Sequence, residues 1–353
     1  MIIDDLKKIA EQNSNERPQY LRSLLKEALQ LYVLNFIYTS KYNSNFIFTG
    51  GTCLRICFGL PRLSEDLDFD IIDITKFEIT KFTEDIQDYF VKNLQYKDVY
   101  TKIANNQRTI FIKFPILRNL GISSSSETDV LFVRVDITKI PTKYYKQEIS
   151  VKNISNFSFI INRYSLPDLF ASKICAIIER NFSKGSNSKE EENSINIKGR
   201  DYYDLLWFLE KRVVPNYGRI GSILKIRSKD GIIKLLNDKV ASVNEEHIKE
   251  DLAPFVKDLS FISDYSKKYK ELYKTLLETR VDMIRVDRLI HTPLYLEMNN
   301  LRFKFPQYED IFTNVLNNET IDDPGEMLGM LKKSAEDTKN QELINDLKKI
   351  IYL

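Results

Sequence analysis

Two glycines followed by four carboxylates in one short run constrain this chain more than any other feature of it. The run is FTGGTCLRICFGLPRLSEDLDFD, from Phe48 to Asp70. In its last part Asp66, Asp68 and Asp70 alternate with Leu67 and Phe69. A period of two belongs to a strand, with the hydrophobes packed on one face and the three aspartates together on the other. Like charges sharing a strand face repel one another, so such a strand calls for positive charge among its acids. Upstream, Gly50 and Gly51 separate a short apolar run, NFIF, from TCLRICFGL, which reads as a helix of two or three turns stopped by Gly59 and Pro61. Glycines between a strand and a helix let a ligand come close to the backbone, and the first N–H groups of the helix face it. Phosphate is the usual occupant, and Thr52 is placed to add a hydroxyl donor. No GK[ST] follows, so this is not a P-loop.

The remaining strands and helices fall around this centre. YLRSLLKEALQLYVLNFIYTSK, residues 19–40, has helical spacing, and FEITKFTEDIQDYFVKNLQ reads as a second helix. VYTKIA, TIFIKFPI, LFVRVDITKI and FSFIINRY read as strands, with GISSSSETD as a hairpin loop between two of them. Beyond residue 165 the pattern becomes helical, apart from NFSKGSNSKEEENSINIKG, a polar loop. The expected organisation is therefore an α/β part over residues 1–165, including N-terminal helices, followed by an all-α part over 166–353.

Charge and composition exclude several classes. The 52 basic and 50 acidic side chains among 353 residues leave a formal charge of +2. Any polyanion site must then be a local basic pocket rather than a global field. No stretch is apolar for long enough to span a membrane, and the N-terminal MIIDDLKKIAEQ does not read as a signal peptide. Cys53, Cys57 and Cys175 lie in apolar helical contexts, which points to free thiols and a cytoplasmic protein. Two histidines, His247 and His291, both remote from the acidic run, argue against a histidine zinc site and against a Ser-His-Asp triad.

Clustered carboxylates of this kind suit Mg²⁺, a hard ion that takes a few acidic oxygens together with substrate phosphates. A third carboxylate from a neighbouring strand is expected, and Asp136, between apolar residues in LFVRVDITKI, fits. The bland alternative is a tight turn followed by a solvated strand edge. The co-occurrence of the glycines, the alternating acids and a further strand acid weighs against it.

The pattern GGTxLR, then a short helix, then RxSEDLDFD resembles the AbiEii/AbiGii toxin family of nucleotidyltransferases, within the polymerase-beta-like nucleotidyltransferase fold. It is carried here by Gly50, Gly51, Thr52, Leu54 and Arg55, then Arg62, Ser64, Glu65, Asp66 and Asp68. A second block, Lys173 and Arg180 in ASKICAIIER with Arg200, Asp201, Tyr203, Asp204 and Leu205 in GRDYYDLLWFL, matches further on. The resemblance spans residues 30–210, and the last third resembles the family only as a helical domain. It implies an α+β fold: a mixed sheet flanked by helices, then an all-α C-terminal domain that contributes to the active-site cleft.

For the site, the resemblance implies Asp66 and Asp68 as metal ligands, and Asp136, read from the strand pattern, would be the third ligand and the base for the acceptor hydroxyl. Gly50, Gly51, Thr52, Arg55, Ser64, Lys173 and Arg180 would surround the nucleotide, and Asp201 would help build the site. On spacing alone Lys173 is an ordinary helix-surface lysine. Asp70 is either accessory or part of a 68/70 pair, and Asp204 is either catalytic or structural. The implied activity is Mg²⁺-dependent transfer of a nucleoside monophosphate from an NTP, most directly to the 3′ end of tRNA. The chain would act as the toxin of a toxin–antitoxin or phage-defence pair, restrained by a cognate antitoxin protein. Nucleotidylation of a protein or a small molecule, and a non-catalytic nucleotide-binding module, are the alternatives. RFKFPQYEDIF, with its interleaved aromatic and basic residues, reads as core packing before nucleotide stacking.

Overall fold

The computed structural model describes residues 2–122, 128–180, 198–226, 229–290, 301, 304–316 and 324–349. Most of the polar loop and most of the GISSSSETD hairpin expected from the sequence lie outside the described residues, as does His291.

Period-two apolar positions build the centre of the sheet. Phe46 and Phe48 on β1 (Phe46–Thr49) and Leu67, Phe69 and Ile71 on β2 (Asp66–Ile71) are fully buried on one face. On the same face β4 (Thr109–Pro115) contributes Ile110, Ile112 and Phe114, and β5 (Val130–Lys139) contributes Val133 and Val135. With β3 (Tyr100–Ala104), β6 (Gln147–Ile154) and β7 (Phe157–Tyr164) they form a seven-stranded sheet of order β3-β4-β5-β2-β1-β7-β6. The pairs β2–β5 and β1–β7 are parallel and the other pairs antiparallel, so the sheet is mixed. The strand β6 has no counterpart in the sequence reading.

Helices precede, interrupt and follow these strands along the chain. Their ranges are α1 (Ile2–Gln12), α2 (Pro18–Thr39), α3 (Gly50–Phe58), α4 (Ile79–Asp88), α5 (Leu166–Glu179), α6 (Gly199–Glu210), α7 (Tyr217–Leu224), α8 (Lys229–Ser242), α9 (Glu245–Leu252) and α10 (Leu259–Ile290). Rings from α2 and α4 meet rings from the sheet face to form an aromatic core: Phe82 stacks on Phe46 at 5.1 Å, and Phe36 lies 5.8 Å from Phe82. The start of α5 is fixed locally. Ser165 caps it by accepting from the N–H of Asp168, and Pro167 sits in the first turn, where its missing N–H costs nothing.

The chain forms two compact units, Met1–Tyr273 and Lys274–Leu353. The change from strands to helices falls at the end of β7, but α5 to α9 belong to the same compact unit as the sheet. In the second unit α11 (Glu309–Leu316), α12 (Pro324–Asp337) and α13 (Gln341–Lys349) enclose a core that includes Phe305, Phe312, Leu331 and Leu343. The RFKFPQYEDIF aromatics Phe305 and Phe312 are thus core side chains. Cys53, Cys57 and Cys175 are free thiols. No helix among the described residues is long and apolar enough to cross a membrane.

Candidate active site

The parallel strands β2 and β5 lie in register, which sets Asp66 beside Arg134, Asp68 beside Asp136 and Asp70 beside Thr138. These six residues share one face of the sheet, opposite the buried core. Antiparallel β1 brings Thr49 beside Asp68, and the chain turns there into α3. Gly50 has φ +76°, and a Cβ on it would stand 2.0 Å from Oδ2 of Asp68 and 2.9 Å from the Asp68 Cβ. A Cβ on Gly51 would stand 2.8 Å from Nη2 of Arg62 and 2.9 Å from Oγ of Ser64. The glycine pair therefore lets an aspartate and an arginine close on the first turn of the helix. A Gly50→Ala protein is expected to push Asp68 aside and to lose about a hundredfold in catalytic rate, the scale of a misplacement of about 1 Å. The left-handed backbone would cost a further ~1–2 kcal/mol of stability. Single-turnover rates and melting curves on the same preparation measure both effects.

The acids differ in how they are held. Burial, then repulsion from Asp66 and Asp136, pushes the Asp68 carboxyl up to about 7, although Lys173 and Lys198 pull the other way. Burial, then the neighbouring Glu65, also raises Asp66. Asp136 accepts from Thr109 Oγ1 at 2.6 Å and from Arg134 Nε at 3.1 Å, and its Oδ2 lies 2.9 Å from Arg134 Nη2. Arg134 is thus one of the positive groups that the alternating acids call for. Asp70 points its two oxygens at Thr138 Oγ1 and Tyr164 Oη, with Arg219 Nη2 at 3.9 Å behind. Both carboxylate oxygens of Asp70 are thereby occupied in tying β2 to β5, β7 and α7. That placement favours the accessory role over a 68/70 pair.

A buried ionic cluster lies next to these acids. Arg62 donates from Nε and Nη2 to the two oxygens of Asp204, each at 2.7 Å, and both side chains are almost wholly enclosed. Lys173 Nζ lies 2.9 Å from Asp201 Oδ1 and 2.8 Å from Asp204 Oδ2. Arg180 closes on the other oxygen of Asp201. Burial would raise Asp204, but Arg62 and Lys173 outweigh it and hold its carboxyl below the usual range. Burial lowers Lys173 despite Asp204. Lys198, at the start of α6, is lowered by burial and then by Arg180 and Arg200, and it stands within electrostatic reach of Asp66 and Asp68.

Thr52, Arg55 and Ser64, expected around the nucleotide, also have partners within the protein. The Thr52 hydroxyl donates to the backbone carbonyl of Asp66, and the side chain is fully buried. Its evident part is to pin α3 onto β2. Arg55 pairs with Glu27 of α2 at 2.9 Å and donates to the Leu60 carbonyl at 3.1 Å, which braces the helix from behind. Ser64 is buried beside Gly51, and its carbonyl accepts from Gln30 Nε2 at 3.2 Å. Glu65 reaches Lys26 and Arg200, each at 3.2 Å, at the wall of a cleft of about 580 Å³ also lined by Phe132, Asp251 and Phe255.

Sequence reasoning overlooked Arg134 and Lys198. Arg134 had a signal, since it stands two positions before Asp136 on a strand and so on the same face. Lys198 ends a polar loop and carried none.

Among the described residues no three histidine, cysteine or acidic side chains are drawn together closely enough to cage a metal. Asp136 is turned toward Arg134 and Thr109 instead. The donor set itself fits Mg²⁺: Asp66, Asp68 and Asp136 offer hard oxygens from adjacent in-register strands. Burial of Asp68, and then its crowding by Asp66 and Asp136, leaves its ionised form short of countercharge.

No curated protein matches the chain. Among solved structures, MenT4, a nucleotidyltransferase toxin from Mycobacterium tuberculosis H37Rv, aligns over 77% of this chain and 89% of its own, with 12% identity and a TM-score of 0.49. JHP933 from Helicobacter pylori aligns over 76% of this chain and 98% of its own, with 12% identity and a TM-score of 0.41. The family model of the nucleotidyl transferase AbiEii toxin, type IV toxin–antitoxin system, matches residues 33–306. That span holds Asp66, Asp68, Asp136, Lys173 and Asp201, and by it the chain belongs to the AbiEii family of nucleotidyl transferase toxins of type IV toxin–antitoxin systems.

Proposed function

We propose that this chain moves a nucleoside monophosphate from an NTP to the 3′ hydroxyl of tRNA, as a toxin whose counterpart is a cognate antitoxin protein. The observation that carries the reading is the in-register placement of Asp66, Asp68 and Asp136 at the glycine-bared start of α3. Asp66, Asp68 and Asp136 would hold Mg²⁺, which when bound supplies positive charge among the carboxylates and withdraws electrons from the α-phosphate. The first turn of α3 offers backbone N–H groups to the phosphates, because neither Gly50 nor Gly51 puts a side chain in the way. Lys173, Arg180 and Lys198 contribute charge from α5, the residue after it and the start of α6, so the helices beyond residue 165 complete the cleft. Asp201 holds Lys173 and Arg180 in position.

In the step itself the acceptor hydroxyl oxygen bonds to the α-phosphorus. The bond from that phosphorus to the α,β-bridging oxygen breaks, and pyrophosphate leaves. Asp136 takes the hydroxyl proton, and the Thr109 and Arg134 hydrogen bonds orient its carboxylate for this.

Incubation of the purified chain with labelled NTPs, Mg²⁺ and total RNA tests the reading. Label on the 3′ end of tRNA is the expected result. Label on protein, or NTP uptake with no transfer, would overturn the acceptor or the activity respectively. Lys173→Met is expected to raise the KM for NTP by about tenfold or more, the worth of a charged hydrogen bond. An unchanged KM would return Lys173 to a purely structural place beside Asp204.

A further inference from the structure

The face that carries the acids continues across β5, β4 and β3 with side chains that the transfer chemistry does not use. Strand register arranges them in rows. Tyr100, Lys113 and Phe132 stand side by side, and Lys102, Phe111 and Arg134 form the next row and run on into Asp66. The row beyond runs from Ala104 through Thr109 to Asp136 and Asp68. Aromatic and cationic groups thus alternate both along and across the strands, ending at the carboxylates.

Core packing does not account for this pattern. The inward positions of β4 and β5 are already filled by fully buried residues such as Ile110, Ile112, Phe114 and Val133. Tyr100 is 41% exposed, Lys102 is exposed, and Phe111, Lys113, Phe132 and Arg134 are partly so. The rings and cations already lean on one another. Lys113 Nζ lies 5.5 Å from the Tyr100 ring centre, Phe111 meets Phe132 edge-on at 5.5 Å, and Lys26 Nζ lies 4.5 Å from the Phe132 ring centre. The outward positions of β3 and β4 carry no acid. Lys102 and Lys113 thus set positive charge between partly exposed rings, while Arg134 and Lys26 are paired with Asp136 and Glu65. Unpaired bases stack on such rings whatever their sequence, while the cations between them meet phosphates. Three strand spacings separate β3 from β2, which gives room for about two or three bases.

We infer that this face is a stacking platform for the unpaired 3′ end of an RNA, which it leads toward Asp66, Asp68 and Asp136. The inference rests on the reading above that the acceptor is an RNA end. It adds the surface that receives that end.

Tyr100→Ala, Lys102→Glu, their combination and Tyr100→Trp test it, in the full chain and with melting curves to establish folding. Binding of a fluorescent single-stranded RNA with a free 3′ hydroxyl is followed by anisotropy at two salt concentrations, and NTP binding is followed separately. Tyr100→Ala is expected to weaken RNA binding about fivefold or more, the worth of one stacked base. Lys102→Glu is expected to flatten the salt dependence, Tyr100→Trp to retain binding, and NTP affinity to stay level throughout. RNA affinity unchanged in the folded double variant would overturn the platform. If the parent chain then still labels RNA 3′ ends, the transferase reading stands without it. A parent chain that binds no RNA and labels protein instead would overturn both.

Discussion

The Asp68→Asn protein is expected to lose nucleotidyl transfer by about a thousandfold and to melt at a higher temperature than its parent. Both effects come from removing one buried and crowded charge. Asp68 stands beside Asp136 across the β2–β5 ladder and two residues from Asp66, and burial with their repulsion pushes its carboxyl up to about 7. An acid whose ionised form is disfavoured in the fold subtracts from stability when it is charged. Asparagine has the same outline against Gly50 without the charge, so the strand pair relaxes. The same removal takes away the central member of the donor set, and loss of a group that stabilises transition-state charge costs about a hundredfold to a thousandfold. Label incorporation from NTP and a melting curve in metal-free buffer report the two halves independently. Retained turnover would mean that the donor set lies elsewhere. A lowered melting temperature would mean that Lys173 and Lys198 already compensate the charge.

The parts of this site legible in the sequence are those governed by local periodicity. The alternation of Asp66, Leu67, Asp68 and Phe69 predicts both the strand and the face its acids share, and the same logic places Asp136 on β5. Partners that arrive from afar were not legible. Thr52 reads as a free hydroxyl, yet its acceptor is the carbonyl of Asp66 across the turn. Arg55 reads as a nucleotide contact, and nothing in the sequence pairs it with Glu27 on α2. Asp204 could be read either way until Arg62 was seen to reach it from 142 residues away.

The missed strand β6 has a different cause. Its apolar residues face outward, Ile149 at 64% and Val151 at 70% exposure, while Glu148 and Ser150 turn inward to bind Arg163. A strand that turns its polar positions inward and its apolar ones outward inverts the usual signal and reads as a loop. Chemistry followed the same division: the family signature pointed to the acids, but the neighbours that restrain them became visible only once the sheet was assembled.

The buried pair that fixes those neighbours should be the most expensive to break. Arg62→Met is expected to destabilise the first compact unit by about 3–5 kcal/mol, because it strands the Asp204 carboxylate, 0% exposed, in the interior with Lys173 as its remaining cation. Asp204→Leu should cost a similar amount by stranding Arg62. The double variant should cost much less than the sum, since two well-packed apolar groups leave neither charge buried alone. The pH dependence follows from the direction of the shift. Asp204 sits below its ordinary range in the folded chain, so its contribution is present in full above about pH 4 and fades as the pH falls through the lowered folded value. Urea midpoints of parent and Arg62→Met should therefore lie far apart near neutrality and draw together below about pH 4. Arg62 Nη2 also stands where a Gly51 side chain would be, so the same substitution loosens α6 from the start of α3 and lets Lys173 drift from the acids. A gap in midpoints that stayed constant with pH would show that Arg62 acts through packing alone.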